Sequence, residues 1–372
     1  MFRLIFFTSW TLLHLYVFWR LATIPLINNR VSAWLVAAVG AVLWGIGVVN
    51  RYLDDIGLHA LEPPVDLFVM HWLGILFMLL VGMLAADLIS GFGLLFRTHL
   101  ATIRTAGLTL GLLLVLTALV QGLRPPVITE YELPLRNLPA EHDGLTAVVI
   151  SDTHLGILID ADWLQARVEQ VNALQPDLVL MVGDIFEGDY PLAGKDDIRT
   201  ALSRLTPPHG VWAVTGNHEL HGGQEVSVRF LESAGIRVLR NEWVKILPGL
   251  AVGGIDDGGH GESRDGASAR VRRVLNATPP ETGAIFLSHR PRMVRHAADE
   301  GIGLMLSGHT HGGQIWPFSY LVGMTNDLMY GRYQIDSMTA IVTRGAGTWG
   351  PRMRLWAPGE IVRITLRSPA AP

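Results

Sequence analysis

The chain has 372 residues, of which 49% fall in the hydrophobic set and 17% are charged, with a mean hydropathy of +0.33. That composition excludes a disordered, collagenous or disulfide-stapled chain, and the lack of any cysteine also removes thiolate zinc sites and a cysteine nucleophile. The net charge of −4 is unevenly spread: seven of the 29 basic and five of the 33 acidic residues precede residue 125, leaving 22 and 28 behind it. An acidic second part of this kind argues against nucleic acid as a partner.

In chain order, Leu4 to Trp19, Val31 to Asn50, Leu67 to Ala86 and Thr105 to Leu123 carry no charged residue. All but the first reach the ~20 residues that span a hydrocarbon core. They predict an all-α region of four transmembrane helices, near 4–24, 31–50, 67–86 and 105–123, within residues 1–124. The first ends at Arg20, whose long side chain is expected to snorkel to the interface. A cleavable signal peptide is the alternative for this segment, but no A-x-A-like site follows it and three further spans are left unexplained.

Trp10, Trp19, Trp34, Trp44 and Trp72 lie in or near these spans, several close enough to the ends to act as interfacial anchors. Gly107 and Gly111 form a small-xxx-small pair, read as the ordinary abundance of glycine in membrane helices. His14, His71 and Asp87 are scattered singly and mark no transport path. Four spans put both termini on one side. The positive-inside count sets Arg20, Arg30, Arg97 and Arg104 against Arg3, Arg51, Arg124 and Arg136, a tie that leaves the facing of the second part open. The expected setting is a multi-pass protein of a bacterial inner membrane, with the lipid bilayer as a partner.

Beyond Arg124-Pro125-Pro126, short apolar runs alternate with amphipathic segments. Strands are predicted at Thr146–Ile150, Asp177–Val182, Val211–Val214, Leu250–Gly254, Ala284–Leu287 and Leu304–Leu306, and helices near Asp162–Leu174, Asp197–Leu205, Gln224–Ala234 and Pro291–Glu300. The alternation is an α/β signature for residues 125–372. Met338–Val342 and Ile361–Leu366 read as further strands closing a second sheet.

The chemically capable residues sit at strand ends. Asp152-Thr153-His154 follows the first strand, Gly183-Asp184 the second and Gly216-Asn217-His218-Glu219 the third; Ser288-His289 follows the fifth and Gly308-His309-Thr310-His311-Gly312-Gly313 the sixth. Ligands of α/β sheets bind outside the carboxyl ends of strands, so these loops are expected to converge. Alone, Asp152, Asp184 and Asn217 read as turn or helix-capping residues. Together with the histidines they form an oxygen and imidazole donor set suited to Mn, Fe or Zn, and too large for one ion. Two divalent metals sharing a carboxylate acidify a bridging water and clamp phosphoryl oxygens, which is the chemistry of phosphoester hydrolysis.

In this order and spacing, Ser-Asp-x-His, Gly-Asp, Gly-Asn-His-Glu, Ser-His and Gly-His-Thr-His-Gly-Gly resemble the calcineurin-like metallophosphoesterase superfamily, from Val127 to the C-terminus. The resemblance implies a four-layer α-β-β-α sandwich. It assigns Asp152, His154 and His311 to one metal, Asn217, His289 and His309 to the other, and Asp184 as the bridge. His218 would stay off the metals and assist the leaving oxygen after attack by the metal-bridging hydroxide. The family often has an aspartate three residues after the bridge that orients this histidine; Glu187 stands there in this chain. Gly188 and Asp189 occupy the stretch where phosphoprotein phosphatases carry an arginine, which counts against that activity.

Gly308–Gln314, with the tail from Thr343-Arg344-Gly345-Ala346-Gly347-Thr348-Trp349-Gly350 through Ala357-Pro358-Gly359-Glu360-Ile361, resembles a membrane-associated bacterial group. That group includes UDP-2,3-diacylglucosamine hydrolases of lipid A biosynthesis and related phosphodiesterases. The implied substrate is a phosphodiester or pyrophosphate, such as a lipid-linked sugar nucleotide. The alternatives are a transporter or sensor regulated by a phosphoesterase domain, and an envelope phosphodiesterase of different substrate. The apolar stretch Ile315–Met324 is expected to receive an acyl chain, to enter the membrane interface or to pack under the sheet. Trp316 is its candidate substrate contact, with Arg290 and Arg344 as candidates for phosphate and His221 for the rim.

Overall fold

The computed structural model describes residues 2–369 apart from 54, 55, 59, 189–191, 193 and 259–263, so Asp189 lies outside the described residues. The chain divides into two compact units. One comprises Met1–Leu123 with Gly350–Leu355, the other Arg124–Trp349 with Trp356–Pro372.

The first unit holds α1 (Phe2–Leu21), a single turn α2 (Pro25–Asn28), α3 (Ala33–Asn50), α4 (Glu62–Ile89) and α5 (Leu100–Leu123). Among the described residues, three helical stretches are long and apolar enough to cross a membrane: α3, α4, and Arg97–Leu123, which ends in α5. Helix starts follow local chemistry. The Ser32 side chain accepts the Leu35 N–H and caps α3, and α4 carries proline in its first turn, where no intrahelical donor is lost.

Two sequence expectations for this unit change. Gly82 lies so close to the Gly107 carbonyl and to Gly111 that a Cβ would clash, so the Gly107/Gly111 pair makes the α4–α5 contact rather than reflecting composition alone. Arg20 does not snorkel: it is 4% exposed. Its Nε donates to Asp87 Oδ2 at 2.6 Å, and the Tyr16 hydroxyl donates to the same oxygen at 2.6 Å. A carboxylate inside an apolar bundle has to be compensated, and that requirement draws the arginine inward. His14 is likewise partnered, accepting from the Trp72 indole at 3.0 Å. Gly350–Leu355 threads among these helices. The Arg354 N–H donates to Ala118 O at 2.9 Å, and Gly74 and Gly122 make room for Met353 and the Arg352 backbone. Nothing in its composition marks this segment as a companion of apolar helices.

The second unit has strands β1 (Val127–Pro134), β2 (Thr146–Ile150), β3 (Leu178–Val182), β4 (Val211–Val214), β5 (Arg237–Val238) and β6 (Glu242–Leu247). These are followed by β7 (Leu250–Ile255), β8 (Gly283–Ser288), β9 (Leu304–Ser307), β10 (Gly331–Ile335), β11 (Met338–Val342) and β12 (Glu360–Arg367). Its helices are α6 (Ala161–Ala173), α7 (Asp196–Leu202), α8 (Asn217–His221), α9 (Gln224–Ser233), α10 (Arg264–Leu275), α11 (Val294–Asp299) and α12 (Phe318–Gly323).

The strands form two six-stranded sheets, ordered β1-β12-β2-β3-β4-β5 and β10-β11-β9-β8-β7-β6. Strands β2 to β5 run parallel, as do β7, β8, β9 and β11. Every residue of β2, β3, β8 and β9 is buried, which is why these strands read as continuous apolar runs. Leu180, Val214, Val252, Leu287 and Leu306 belong to a core that draws on both sheets. A second core joins the first sheet to α6, α7 and α9 through Leu164, Val168, Leu202 and Leu231, and a third joins the second sheet to α10 and α11 through Val271, Leu275 and Ala297.

β12 corrects the expected topology. It enters the first sheet between β1 and β2, while β11 joins the second. Its alternation explains the placement: Val362, Ile364 and Leu366 enter the core shared by the two sheets, and the intervening Arg363 and Arg367 meet Glu130 and Glu132 of the parallel neighbour β1 at 3.3 and 2.7 Å.

Candidate metal centre

The carboxyl ends of β2, β3 and β4 from one sheet and of β8 and β9 from the other deliver their loops to one place. Asp152 is buried there and accepts from Ser151 Oγ at 2.5 Å and from the His309 N–H at 2.9 Å. Asp184 Oδ1 accepts the His218 N–H at 2.8 Å, while Oδ2 lies 3.0 Å from His289 Nε2 and 3.9 Å from His154 Nε2. The His154 and His311 Nε2 atoms are 3.1 Å apart. Three donor groups thus gather, each within 4.8 Å: Asp152, His154 and His311; Asp184, His289 and His309; and His154, Glu187 and His218.

Five of these donors, Asp152, His154, Asp184, His309 and His311, adopt left-handed backbone with φ from 47° to 73°. For side chains with a Cβ this costs on the order of 1 kcal/mol each and persists where surrounding structure enforces it, as at functional sites. The glycines between them serve close approach. A Cβ on Gly216 would strike Asp184, and one on Gly308 would strike Asp152 and Ser151.

Hydrogen bonds behind the donors set their orientation. His289 Nδ1 is 2.8 Å from Val182 O, and since a carbonyl only accepts, Nδ1 carries the hydrogen and Nε2 faces Asp184. Glu187 spans two histidines, with Oε2 at 2.8 Å from His154 Nδ1 and Oε1 at 2.9 Å from His218 Nδ1. The sequence pattern pointed Glu187 toward His218 alone.

Glu219 is the organising residue that sequence reasoning left without a role. Its buried carboxylate accepts the N–H groups of Asp184, Ile185, Phe186 and Gly216 at 3.0, 2.7, 3.0 and 2.6 Å, tying the loop after β3 to the loop after β4. The signal was present: a glutamate three residues after Gly216 is half of a capping box at the start of α8.

Electrostatics show what the pocket attracts. Burial alone would lower His154, but the charges of Glu187, Asp184 and Asp152 raise it to about 9. His289 is raised against the same burial penalty to about 10 by Asp184, Asp152 and Asp257. Burial works against the charge of Asp184 too, yet His289, His154 and His218 hold its carboxyl well below the ordinary range. His309 is held well below its usual value, first by burial and then by the charge of His289. The field is strongly attractive to cations, and bound metal would displace the protons now drawn onto the imidazoles.

The donor set fits divalent ions on a further count. Asn217 Oδ1 is buried and has no hydrogen-bond partner among the described residues. A buried amide oxygen in that state costs free energy unless a ligand completes it. Oxygen and imidazole donors gathered about Asp184, whose Oδ2 lies 3.0 Å from His289 Nε2 and 3.9 Å from His154 Nε2, suit two ions such as Mn, Fe or Zn.

The other candidate residues have partners within the protein. Arg290 Nε lies 2.9 Å from Asp257 Oδ2, and Arg344 gives Nη2 to Glu360 at 2.7 Å, so both guanidinium groups face carboxylates. Asp257 follows β7, a loop the sequence reading did not mark. Trp316 meets the ring of Trp356 at 5.0 Å. The α12 segment does not pack under a sheet: Tyr320 is 68% and Met324 82% exposed. His221 stands at the rim, its ring 5.8 Å from that of His218.

The calcineurin-like phosphoesterase family matches residues 145–313. A transmembrane protein with metallophosphoesterase domain from Danio rerio is 32% identical, over 73% of this chain and 63% of its own. An uncharacterized metallophosphoesterase of Helicobacter pylori is 34% identical, over 66% of this chain and 65% of its own. Another from Aquifex aeolicus is 34% identical, over 64% of this chain and 91% of its own. The chain thus spans a little under two thirds of the Danio rerio and Helicobacter pylori relatives.

Proposed function

Given that the chain belongs to the calcineurin-like metallophosphoesterase family, we propose that it is a membrane-anchored, dinuclear-metal phosphohydrolase that cleaves a phosphodiester or pyrophosphate bond. The observation that carries this reading is Asp184, one carboxylate within reach of both His154 and His289, together with the buried Asn217 amide oxygen that has no hydrogen-bond partner among the described residues. Asp152, His154 and His311 would hold one ion and Asn217, His289 and His309 the other, with Asp184 shared. Ions bound there would acidify water and polarise the phosphoryl oxygens.

The chain's own groups supply the rest. Glu187 Oε1 lies 2.9 Å from His218 Nδ1, and His218 would act through Nε2 as proton donor to the leaving oxygen. Glu219 fixes the backbone that carries Asp184. Burial of the donors keeps bulk water from screening their charges.

The apolar helices support anchoring in a membrane, with a bacterial inner membrane as the setting. They favour a substrate found at that surface, and a lipid-linked sugar nucleotide such as UDP-2,3-diacylglucosamine is the first to try. An envelope phosphodiester is the alternative. A transporter or sensor reading is disfavoured because Asp87 is already matched by Arg20 and Tyr16.

Hydrolysis of bis(p-nitrophenyl) phosphate by the purified full-length protein with Mn²⁺ tests the site. Activity lost in Asp184→Ala and His218→Ala supports it; undiminished activity in both variants sinks it.

A further inference from the structure

The imidazole of His218 has rings on three sides: His154 at 4.6 Å, His221 at 5.8 Å and Trp349 at 6.4 Å between ring centroids. The His154 side leads to the donor cluster, and the Nδ1 edge faces Glu187. Among the described residues, Trp349 and His221 are the ring neighbours of His218 outside the donor cluster, and a group protonated by His218 would depart past them.

The position of Trp349 is built rather than incidental. Gln314, directly after the loop that carries His309 and His311, grips the main chain of residue 349 with both ends of its amide. Its Nε2 donates to Trp349 O and its Oε1 accepts the Trp349 N–H, each at 2.9 Å. Gln314 is buried and takes a left-handed φ of 48°, so the clamp is kept at a conformational cost. On the same loop, a Cβ on Gly345 would meet Asp152 and one on Gly347 would meet the Thr153 carbonyl, so the segment lies against the donor loop after β2. Yet the Trp349 side chain that all this positions is 46% exposed. An indole held in place from behind and left open in front forgoes burial of a large apolar face, which a ligand can supply.

We propose that Trp349 is a specificity-determining residue that packs against an apolar body, aromatic or aliphatic, carried by the leaving alcohol of the substrate. The proposal rests on the phosphohydrolase reading above and narrows it. A small polar alcohol gains little from an indole, whereas a ring or alkyl chain buries area against it as the ester bond breaks. The bond broken is the ester P–O bond; water supplies the new oxygen, and the proton from His218 goes to the departing alcohol.

The clamp grips backbone, so Trp349→Ala removes the indole and keeps the loop. The test compares parent, Trp349→Ala and Trp349→Phe as full-length protein with Mn²⁺. Three symmetric diesters are used, so that either ester gives the same leaving group: bis(p-nitrophenyl) phosphate, dihexyl phosphate and bis(glycerol) phosphate. For each, the ratio of variant to parent kcat/KM cancels intrinsic reactivity. The expected result is a loss in Trp349→Ala about tenfold larger on an apolar diester than on the glycerol diester, the scale of one aromatic contact, with Trp349→Phe recovering most of it. A selective loss on the aryl diester identifies an aromatic leaving group, and one on the hexyl diester an acyl or alkyl group. Equal losses on all three, or none, overturn the proposal. A parent protein inactive on all three overturns the phosphohydrolase reading itself.

Discussion

Asp87 in the helical unit and Asp184 in the α/β unit are buried to nearly the same degree, at 1% and 2% exposure, yet their surroundings differ in kind. Asp87 has one guanidinium and one phenol on the same oxygen, and its charge is cancelled where it stands. Asp184 lies within reach of the Asp152 charge and of several imidazoles, and the loop that donates to it carries Asn217, whose buried amide oxygen has no hydrogen-bond partner among the described residues. Burial of charge is common to both; completeness of the polar set is what separates a structural pair from a binding site. A closed set needs nothing further. An open one with excess acceptors calls for cations.

The comparison breaks first, and most strongly, at the bridge. Asp184→Ala removes the carboxylate proposed to be shared by the two ions, and hydrolysis of bis(p-nitrophenyl) phosphate is expected to fall to background, with bound metal lost as measured by atomic absorption. Full metal content in this variant would contradict the shared carboxylate. His218→Ala separates chemistry from binding: kcat is expected to drop by about 10²–10⁴-fold, the usual contribution of a general acid. Metal content should stay at the parent level, because His218, which packs against His154 and lies beside Glu187, is not among the ligands proposed for either ion.

Glu187→Gln is expected to have a smaller effect, since Glu187 acts through the two histidines it orients. Partners of this type contribute about 10–100-fold in metal affinity or activity. Because Glu187 touches both His154 and His218, the loss should divide between a higher Mn²⁺ requirement and a lower kcat at saturating metal. A change in kcat alone would show that His154 holds its place without it.

How much of this was legible in the sequence follows from what each residue needs. The strands that carry the site are continuous apolar runs because both faces are covered, and β2, β3, β4, β8 and β9 emerge from composition alone. β1 alternates exposed and half-buried residues and includes two glutamates, so no apolar run marks it. The partner of β12 depended on Arg363 and Arg367 meeting β1, a pairing across more than 200 positions that no local pattern encodes. The donors were legible because aspartate and histidine next to strand ends have few other reasons to cluster. Glu219 was not, since a glutamate early in a helix usually only caps it, and here it also binds a neighbouring loop.

The smallest effect on activity is expected at Asp87, and it tests the closed half of the comparison. Asp87→Ala leaves the Arg20 guanidinium buried without its carboxylate, and Arg20→Ala does the reverse; each is expected to destabilise the folded protein by about 3–5 kcal/mol. Replacing both, Arg20→Met with Asp87→Leu, removes the two charges together and should recover most of that loss, because an apolar pair of similar volume has no desolvation to overcome. Thermal unfolding in detergent reads the three variants. On bis(p-nitrophenyl) phosphate the double variant should match the parent per folded molecule, since neither residue belongs to the donor cluster. If Arg20 and Asp87 instead formed a sensing or transport site coupled to hydrolysis, the double variant would be stable and altered in kcat. A stable protein with unchanged kcat assigns the pair to holding α1 against α4.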